Sequence, residues 1–504
     1  MTAPSHTIQS SHNISSLMTA PSHTISSSAL RPLMLVGTGS DVGKSVLCTA
    51  LCRIFVQDGW HPAPFKAQNM ALNSFATPDG LEIGRAQAVQ AEAAMLQPHV
   101  DMNPLLLKPT SSHTTQVVLL GRPIGNRSAY DYFRREGREQ LRLAVHQAFD
   151  RLASRYQPIV MEGAGSVSEI NLRDTDLVNM PMARYADAAV ILVADIDRGG
   201  VFASCYGSVM LQTPEDRARI KGIIINKFRG DMRLFESGRK MMEDICGIPV
   251  LGVVPAFSDI TIDEEDSVAL ARKSSSVADG KVNVAVVLLP HISNYTDFAT
   301  LERDERVHLF YTKTPGDIAD ADIIILPGTK NTLSDLYQLR CSGMAQAILT
   351  AHSKGRLVIG ICGGYQMLGK TISDPDGIEG DIVQLPGLGL LDIHTTLSAD
   401  KVTRQVTFDF EGHQCQGYEI HQGISSSSLQ IVHAEHCIGT YIHGFLDNAA
   451  VINSILRPYC HDGAPRVAAD NETAEVFRQK QYDALADLVR QHVDVARIYE
   501  IMRM

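Results

Sequence analysis

From Leu33 onward the chain alternates short apolar runs with polar stretches of helical period. Residues 33–36, 159–161, 189–193, 222–225 and 250–254 are continuously apolar, as strands buried on both faces are. Between them, residues 44–57, 83–96 and 130–155 read as helices. Such alternation predicts a parallel sheet covered on both sides by helices. A polar stretch, 264–281, contains Ser274-Ser275-Ser276 and Asp279-Gly280 and reads as a linker. The rhythm then restarts at 284–289, 323–326 and 357–361. The expected fold is therefore two doubly wound α/β domains, over residues 31–263 and 283–504, joined by 264–282. The last stretch, 472–504, is helical by period and is expected to pack on the outside of the second domain.

Residues 1–30 stand apart. Met1-Thr-Ala-Pro-Ser-His-Thr-Ile8 recurs as Met18-Thr-Ala-Pro-Ser-His-Thr-Ile25, and no Lys or Arg precedes Arg31. The basic start and apolar core of a secretory signal are missing. The segment is expected to be a disordered tail, with Met18 as an alternative start.

Composition narrows the function classes. A chain of 504 residues, 44% hydrophobic, can bury more than one core. Its net charge of -11 argues against generic nucleic-acid binding. No apolar run reaches the ~20 residues of a membrane helix, so no membrane partner is expected. Nine scattered cysteines without paired zinc spacing fit reduced thiols in a cytoplasmic protein. Assembly as a homo-oligomer is left open.

Two segments carry chemistry. The first apolar run leads into Gly37, Thr38, Gly39, Ser40, Asp41, Val42, Gly43, Lys44 and Ser45, and a helix follows. Backbone N–H groups in such a turn can cradle the phosphates of ATP. Lys44 can reach the β- and γ-phosphates and the Ser45 hydroxyl can ligate Mg²⁺. The loop is one residue longer than the common form, because Gly37 lies six places before Gly43. In the second segment, an apolar run meets Gly360-Ile-Cys362-Gly363-Gly364 and then a helix. This nucleophile-elbow pattern exposes Sγ in a tight turn. The base is sought among eighteen histidines. His443, between a short strand and Gly444, is preferred over His421 in Gly417-Tyr-Glu-Ile-His-Gln-Gly423.

The longer phosphate loop resembles that of dethiobiotin synthetase and its relatives. The resemblance implies a phosphate-contacting role for Lys66, after Phe65, and a Mg²⁺-binding role for Glu162 in Met161-Glu-Gly-Ala-Gly165. Asp195 is a weaker candidate, and Asn226 in Ile225-Asn-Lys227 resembles a base-recognition segment. The Cys362 and His443 segments resemble class I glutamine amidotransferases, which usually carry a glutamate two residues after the histidine. Here that place holds Phe445, so the group orienting the imidazole has to come from elsewhere. Leu326-Pro-Gly328-Thr-Lys-Asn331 matches that family's oxyanion turn, with the Gly363 N–H as partner donor.

Together the two halves are similar to the cobyrinate amidase family of corrinoid biosynthesis, over nearly all of residues 33–460. Phe65-Lys-Ala-Gln-Asn-Met70, Gly84-Arg-Ala-Gln-Ala and Val100-Asp-Met-Asn-Pro104 resemble one branch of it. The other branch carries a Gly-Pro-Asp-Tyr type segment, whose aspartate is absent here. The resemblance implies ATP- and glutamine-dependent amidation of the b, d, e and g carboxylates of adenosylcobyrinic acid a,c-diamide. The residues alone reach only ATP-dependent amidation of a carboxylate. An amidoligase acting on another anionic substrate, such as a cell-wall precursor, stays open. So does a P-loop ATPase switch with a degenerate glutaminase.

Overall fold

The computed structural model describes residues 29–110, 114–128, 132, 138–263, 277–459 and 473–504. The repeated tail, up to residue 28, and the linker core at 264–276 lie outside the described residues.

The first unit is built on β1 (Leu33–Gly37), β2 (Ala63–Phe65), β3 (Ile159–Glu162), β4 (Ala189–Asp195), β5 (Ile220–Phe228) and β6 (Val250–Pro255). Their order is β6-β5-β4-β1-β3-β2, and all pairs are parallel. Alternate residues of β1 serve opposite cores. Met34 and Val36 face one helical layer, while Leu33 and Leu35 face the other. With β3 and β4 on either side of β1, the connections diverge there, which opens a crevice at the carboxyl ends of the strands.

The second unit contains β7 (Val282–Val287), β8 (Val307–Thr312), β9 (Ile323–Leu326), β10 (Leu357–Ile361), β11 (Ile431–Ala434) and β12 (Cys437–Thr440). The order is β8-β7-β9-β10-β12-β11, parallel except for the β11–β12 pair.

Three features depart from the sequence reading. Residues 83–96 do not form one helix: Glu82–Gly84 is a strand, and the helix is Arg85–Ala93. Gly84 is extended and caps that helix. Antiparallel additions decorate both sheets, notably a long hairpin, His394–Phe410 with His413–Ser425. It arches from the second unit onto the first: the Tyr418 hydroxyl lies 3.3 Å from the Ser74 carbonyl, and its ring lies 4.8 Å from Phe75. Beside it, Asn294 bonds two consecutive residues of the first unit: its N–H donates to Asn73 Oδ1 at 2.6 Å, and its Oδ1 accepts from the Ser74 N–H at 2.9 Å.

The third departure concerns the chain's end. Helices Ala474–His492 and Val495–Arg503 lie on the first sheet, not on the second. Tyr482, Leu485, Val489, Ile498 and Met502 share a core with Leu33 and Leu35. Arg53 forks onto both carboxylate oxygens of Asp483, at 2.7 and 3.0 Å. The approach is close enough that a Cβ on Gly252 would meet the His492 carbonyl at 2.3 Å. Leu485 is fully buried at this contact. Leu485→Ala is therefore expected to destabilise the first unit by ~2–5 kcal/mol. Denaturant unfolding followed alongside glutamine hydrolysis should show that unit melting earlier while hydrolysis by the native protein is unchanged.

Candidate active sites

The phosphate loop connects β1 to the helix Lys44–Gln57. Gly43 has φ +98°, and a Cβ there would fall 2.0 Å from the Asn226 amide nitrogen. That amide donates to the Val42 carbonyl at 2.9 Å, so Asn226 supports the loop from below. Lys44 donates to the carbonyls of Gly39 and Gly165, at 2.9 and 3.0 Å. Its ammonium is thereby held over the turn. Burial pulls its pKa down to about 8, against the attraction of Glu162. Asp195 is paired with Lys227 at 3.2 Å, beside the loop.

Glu162, at the end of β3, gathers the polar groups of this site. Its Oε1 accepts from Ser45 Oγ and Lys66 Nζ, both at 2.8 Å, and its Oε2 accepts from Gln90 Nε2 at 2.6 Å. Burial acts to raise its pKa, but Lys66 and the three bonds hold it below the ordinary carboxylate value. The cleft above has a volume of about 950 Å³. Met70, Ile170 and Leu172 expose apolar surface in it, and Arg138 and Arg173 line it.

In the second unit β10 delivers Cys362, and the helix Gly363–Leu368 begins at the next residue. Cys362 has φ +53° and ψ -110°, a strained conformation of the kind found at functional turns. The turn is tightly packed: a Cβ on Gly364 would lie 2.0 Å from the Leu326 carbonyl, and one on Gly363 2.6 Å from Thr329 Cγ2. Gly328 lies against the imidazole, since a Cβ there would lie 3.3 Å from His443 Cε1. The structure thus brings Cys362, Gly363, Gly328 and His443 into one corner.

His443 Nδ1 lies 2.7 Å from Asp297 Oδ2, and the other oxygen of Asp297 accepts from the Gly444 N–H at 3.0 Å. Nε2 is left for the Cys362 thiol, with which the ring interacts. Burial opposes a charge on this imidazole, but Asp297 and the thiol outweigh it and push its pKa up to about 10. His421 lines the same cavity, yet its ring is stacked on Tyr441 at 3.7 Å and its Nδ1 is taken by the Gly423 carbonyl at 3.2 Å. This cavity, about 40 Å³, is also lined by Gln366, Glu379, Lys330 and Lys401, and by Lys108 of the first unit.

Comparison with known proteins agrees with this division. The model of the CobQ/CobB/MinD/ParA nucleotide binding domain matches residues 33–268. The model of the CobB/CobQ-like glutamine amidotransferase domain matches residues 283–451. Over 491 residues the chain is 63% identical to a cobyric acid synthase from Phocaeicola vulgatus, covering 94% of this chain and 98% of that one. It is 52% identical to a cobyric acid synthase from Parabacteroides distasonis, with 94% and 99% covered. The chain belongs to the cobyric acid synthase family. Its two halves are the nucleotide-binding and glutamine amidotransferase parts of a glutamine-dependent amidoligase.

In this member of the cobyric acid synthase family, two groups escaped the sequence reading. Asp297 stands where a neighbouring glutamate was sought, 146 residues before His443. A signal existed: it lies in the short helical turn Tyr295–Phe298, which follows β7 on the side of that parallel strand's carboxyl end. Gln90, the second-oxygen partner of Glu162, gave no signal beyond its helical period. Phe445, in the place of the usual glutamate, is a fully buried core residue.

Asp297→Asn keeps the shape but removes the charge behind the imidazole. Glutamine hydrolysis is expected to fall by at least ~10²-fold, with ammonium-driven amidation retained. The pH dependence follows from the sign of the shift. His443 is raised from 6.5 to about 10, so its contribution to stability is complete below about pH 6.5 and lost as pH rises toward 10. Denaturant unfolding between pH 6 and 10 should show this decline in the parent and a flatter profile in the variant.

Proposed function

We propose that the chain amidates the b, d, e and g carboxylates of adenosylcobyrinic acid a,c-diamide, using one ATP and one glutamine for each. One observation carries this reading: a Cys362–His443–Asp297 arrangement and a phosphate loop share one chain, and the loop opens into a cleft far larger than a triphosphate tail requires. The cleft's apolar surface at Met70, Ile170 and Leu172 suits a broad macrocycle, and Arg138 and Arg173 suit its fringe of carboxylates.

At the thiol, Sγ attacks the glutamine amide carbon and His443 Nε2 passes the thiol proton to the departing nitrogen. Ammonia leaves, and water then hydrolyses the thioester to glutamate. The N–H groups of Gly328 and Gly363 are suited to the oxyanion of each step. Glu379 and Gln366 offer oxygen acceptors in the same cavity for the ammonium of glutamine. At the loop, a substrate carboxylate oxygen attacks the γ-phosphorus of ATP and ADP leaves. Ammonia then attacks the acyl-phosphate carbon, phosphate leaves, and the nitrogen loses one proton to give the amide. Lys44 and the loop N–H groups balance charge on the transferring phosphoryl group.

Ser45 Oγ and Glu162 Oε1 lie 2.8 Å apart beside the loop and offer hard oxygen ligands. Among the described residues no group of three or more His, Cys, Asp or Glu could hold a metal. Two protein oxygens, completed by phosphate and water, fit Mg²⁺, which keeps much of its own hydration. Mg²⁺ would supply charge neutralisation at the phosphates. A reducing cytosol suits the eight described cysteines, all free and seven of them buried. No helix among the described residues is long and apolar enough to cross a membrane.

Incubation with ATP, glutamine and adenosylcobyrinic acid a,c-diamide, followed by mass spectrometry, should reveal four successive acid-to-amide steps. No amide product would end the proposal. Two variants separate the half-reactions. Cys362→Ala should lose glutamine-driven amidation and keep the ammonium-driven reaction. Lys44→Ala should lose both, because acyl-phosphate formation precedes the use of ammonia. Ammonium-driven activity at the parent rate in the Lys44 variant would remove that lysine from the mechanism.

A further inference from the structure

The segment that follows β7 contributes to two Asp–His pairs, and the thiol chemistry uses only one of them. Asp297 serves His443. Earlier in the same segment, His291 Nδ1 lies 2.7 Å from Asp335 Oδ1, and the His291 backbone N–H donates to the other oxygen at 3.2 Å. Asp335 stands in the first turn of the helix Thr332–Cys341 and is completely buried. Its Oδ2 also accepts from the Thr329 hydroxyl at 2.5 Å, and that hydroxyl accepts from the Asn331 N–H at 3.2 Å. A carboxylate at this depth is tolerated only with such partners. Facing it, His291 Nδ1 carries a proton in the neutral and the charged ring alike. The imidazole is partly exposed, and it does not line the thiol cavity.

What this group holds is the turn between β9 and that helix. Strands β7 and β9 are parallel neighbours, so the segments leaving their carboxyl ends run side by side. Ile292 and Thr329 form an antiparallel bridge. Around it, the Ser293 N–H donates to the Gly328 carbonyl and the Lys330 N–H to the His291 carbonyl, both at 2.9 Å. The peptide joining Gly328 to Thr329 is planar, so fixing its carbonyl on Ser293 also fixes the direction of the Thr329 N–H. Thr329 packs against the residue after the nucleophile: a Cβ on Gly363 would lie 2.6 Å from Thr329 Cγ2 and 3.1 Å from its backbone nitrogen. The far end of the bridging segment is anchored as well, because Asn294 bonds Asn73 and Ser74 of the first unit. Thr329 is thus held through its hydroxyl by Asp335 and through its neighbours' backbone by residues 291–293. Loosening either hold would shift N–H groups that stand beside the nucleophile.

We infer that His291, acting through Asp335 and Thr329, is a positioning residue for glutamine hydrolysis: it holds the 328–329 turn where its N–H groups meet the oxyanion formed at the amide carbon. The inference rests on the proposed roles of Cys362 and of that turn. His291 exchanges no proton with glutamine or the thiol. Its effect is confined to the steps in which the amide or thioester oxygen becomes negative. Alkylation of the thiol by a haloacetamide develops no such oxygen. The two reactions therefore separate this role from a general disturbance of Cys362.

His291→Leu removes the side-chain bond to Asp335. His291→Asn keeps it, because the amide nitrogen of Asn stands two bonds beyond Cβ, as Nδ1 does. Each full-length variant would be assayed for glutamine hydrolysis, for alkylation of Cys362 by iodoacetamide followed by peptide mass spectrometry, and for ammonium-driven amidation. In His291→Leu the kcat of hydrolysis is expected to fall roughly 10²-fold, the lower end of what loss of an oxyanion donor costs, with KM within about twofold. Alkylation and ammonium-driven amidation are expected within about twofold of the parent. His291→Asn should return kcat to within roughly fivefold of the parent. A Leu variant with the parent's kcat, or one whose alkylation slows in step with kcat, would overturn the brace, as would an Asn variant as slow as the Leu variant. Should the Leu variant not fold, Thr329→Val deletes the other side-chain bond to Asp335 at nearly constant shape. Hydrolysis by it at the parent's kcat would overturn the brace equally. A parent chain that hydrolyses no glutamine would overturn the proposed role of Cys362, and the brace with it.

Discussion

The carboxylate of Glu82 is completely buried, with one lysine ammonium on each of its oxygens: Lys108 from its own unit and Lys401 from the long hairpin of the other. Burial alone would raise its pKa, and the two lysines reverse that and hold it well below the usual carboxylate range. A charge in such a place is tolerated only while its partners stay, because an unpaired buried ion costs several kcal/mol. The docking of the two units is therefore tied to a charge balance that neither satisfies alone. The two bonds that link Asn294 to Asn73 and Ser74, and the ring contact of Phe75 with Tyr418, add direction to the same joint. Because Lys108 also lines the thiol cavity, the surroundings of Cys362 are complete only when the units are docked.

Both sites follow one physical plan, in which a buried carboxylate organises a group that must hold a defined charge. Glu162 collects Ser45, Lys66 and Gln90 under the phosphate loop. Asp297 fixes the imidazole of His443 and favours its protonated form beside the thiol. The strain at Cys362 is sustained by the close approach of the 326–329 turn, which explains the run of glycines around the nucleophile. Water-poor surroundings strengthen these interactions and make each of them dependent on complete pairing.

The parallel sheets were legible because their strands are buried on both faces and read as unbroken apolar runs. The placement of Lys44 and Cys362, each at a tight turn after a buried strand, was legible because its signal is local. Asp297 was not, since its role depends on two segments 146 residues apart meeting in space. The long hairpin was missed because much of it is exposed, and an exposed strand pair has no strong apolar signature. The periodicity around Gly84 reads as helix, whereas the residue itself is extended, pairs with Ser74 in a short strand and caps the helix that follows. The last two helices were legible as helices, but nothing in their amphipathic period says which of two sheets they cover.

The location of those helices changes what the chain's connectivity means. The polypeptide leaves the first unit after residue 263, builds the second by residue 459, and returns at residue 473 to finish the first core. In topological terms the glutaminase is an insertion, held by its host at both ends. Cleavage at either crossing would not separate the molecule into its two chemistries, because one fragment would always retain a piece of the other's hydrophobic core. Nor can the first unit be completed until the second has been synthesised, so the order of translation delivers a full nucleotide-binding core only after the ammonia-producing half is already attached.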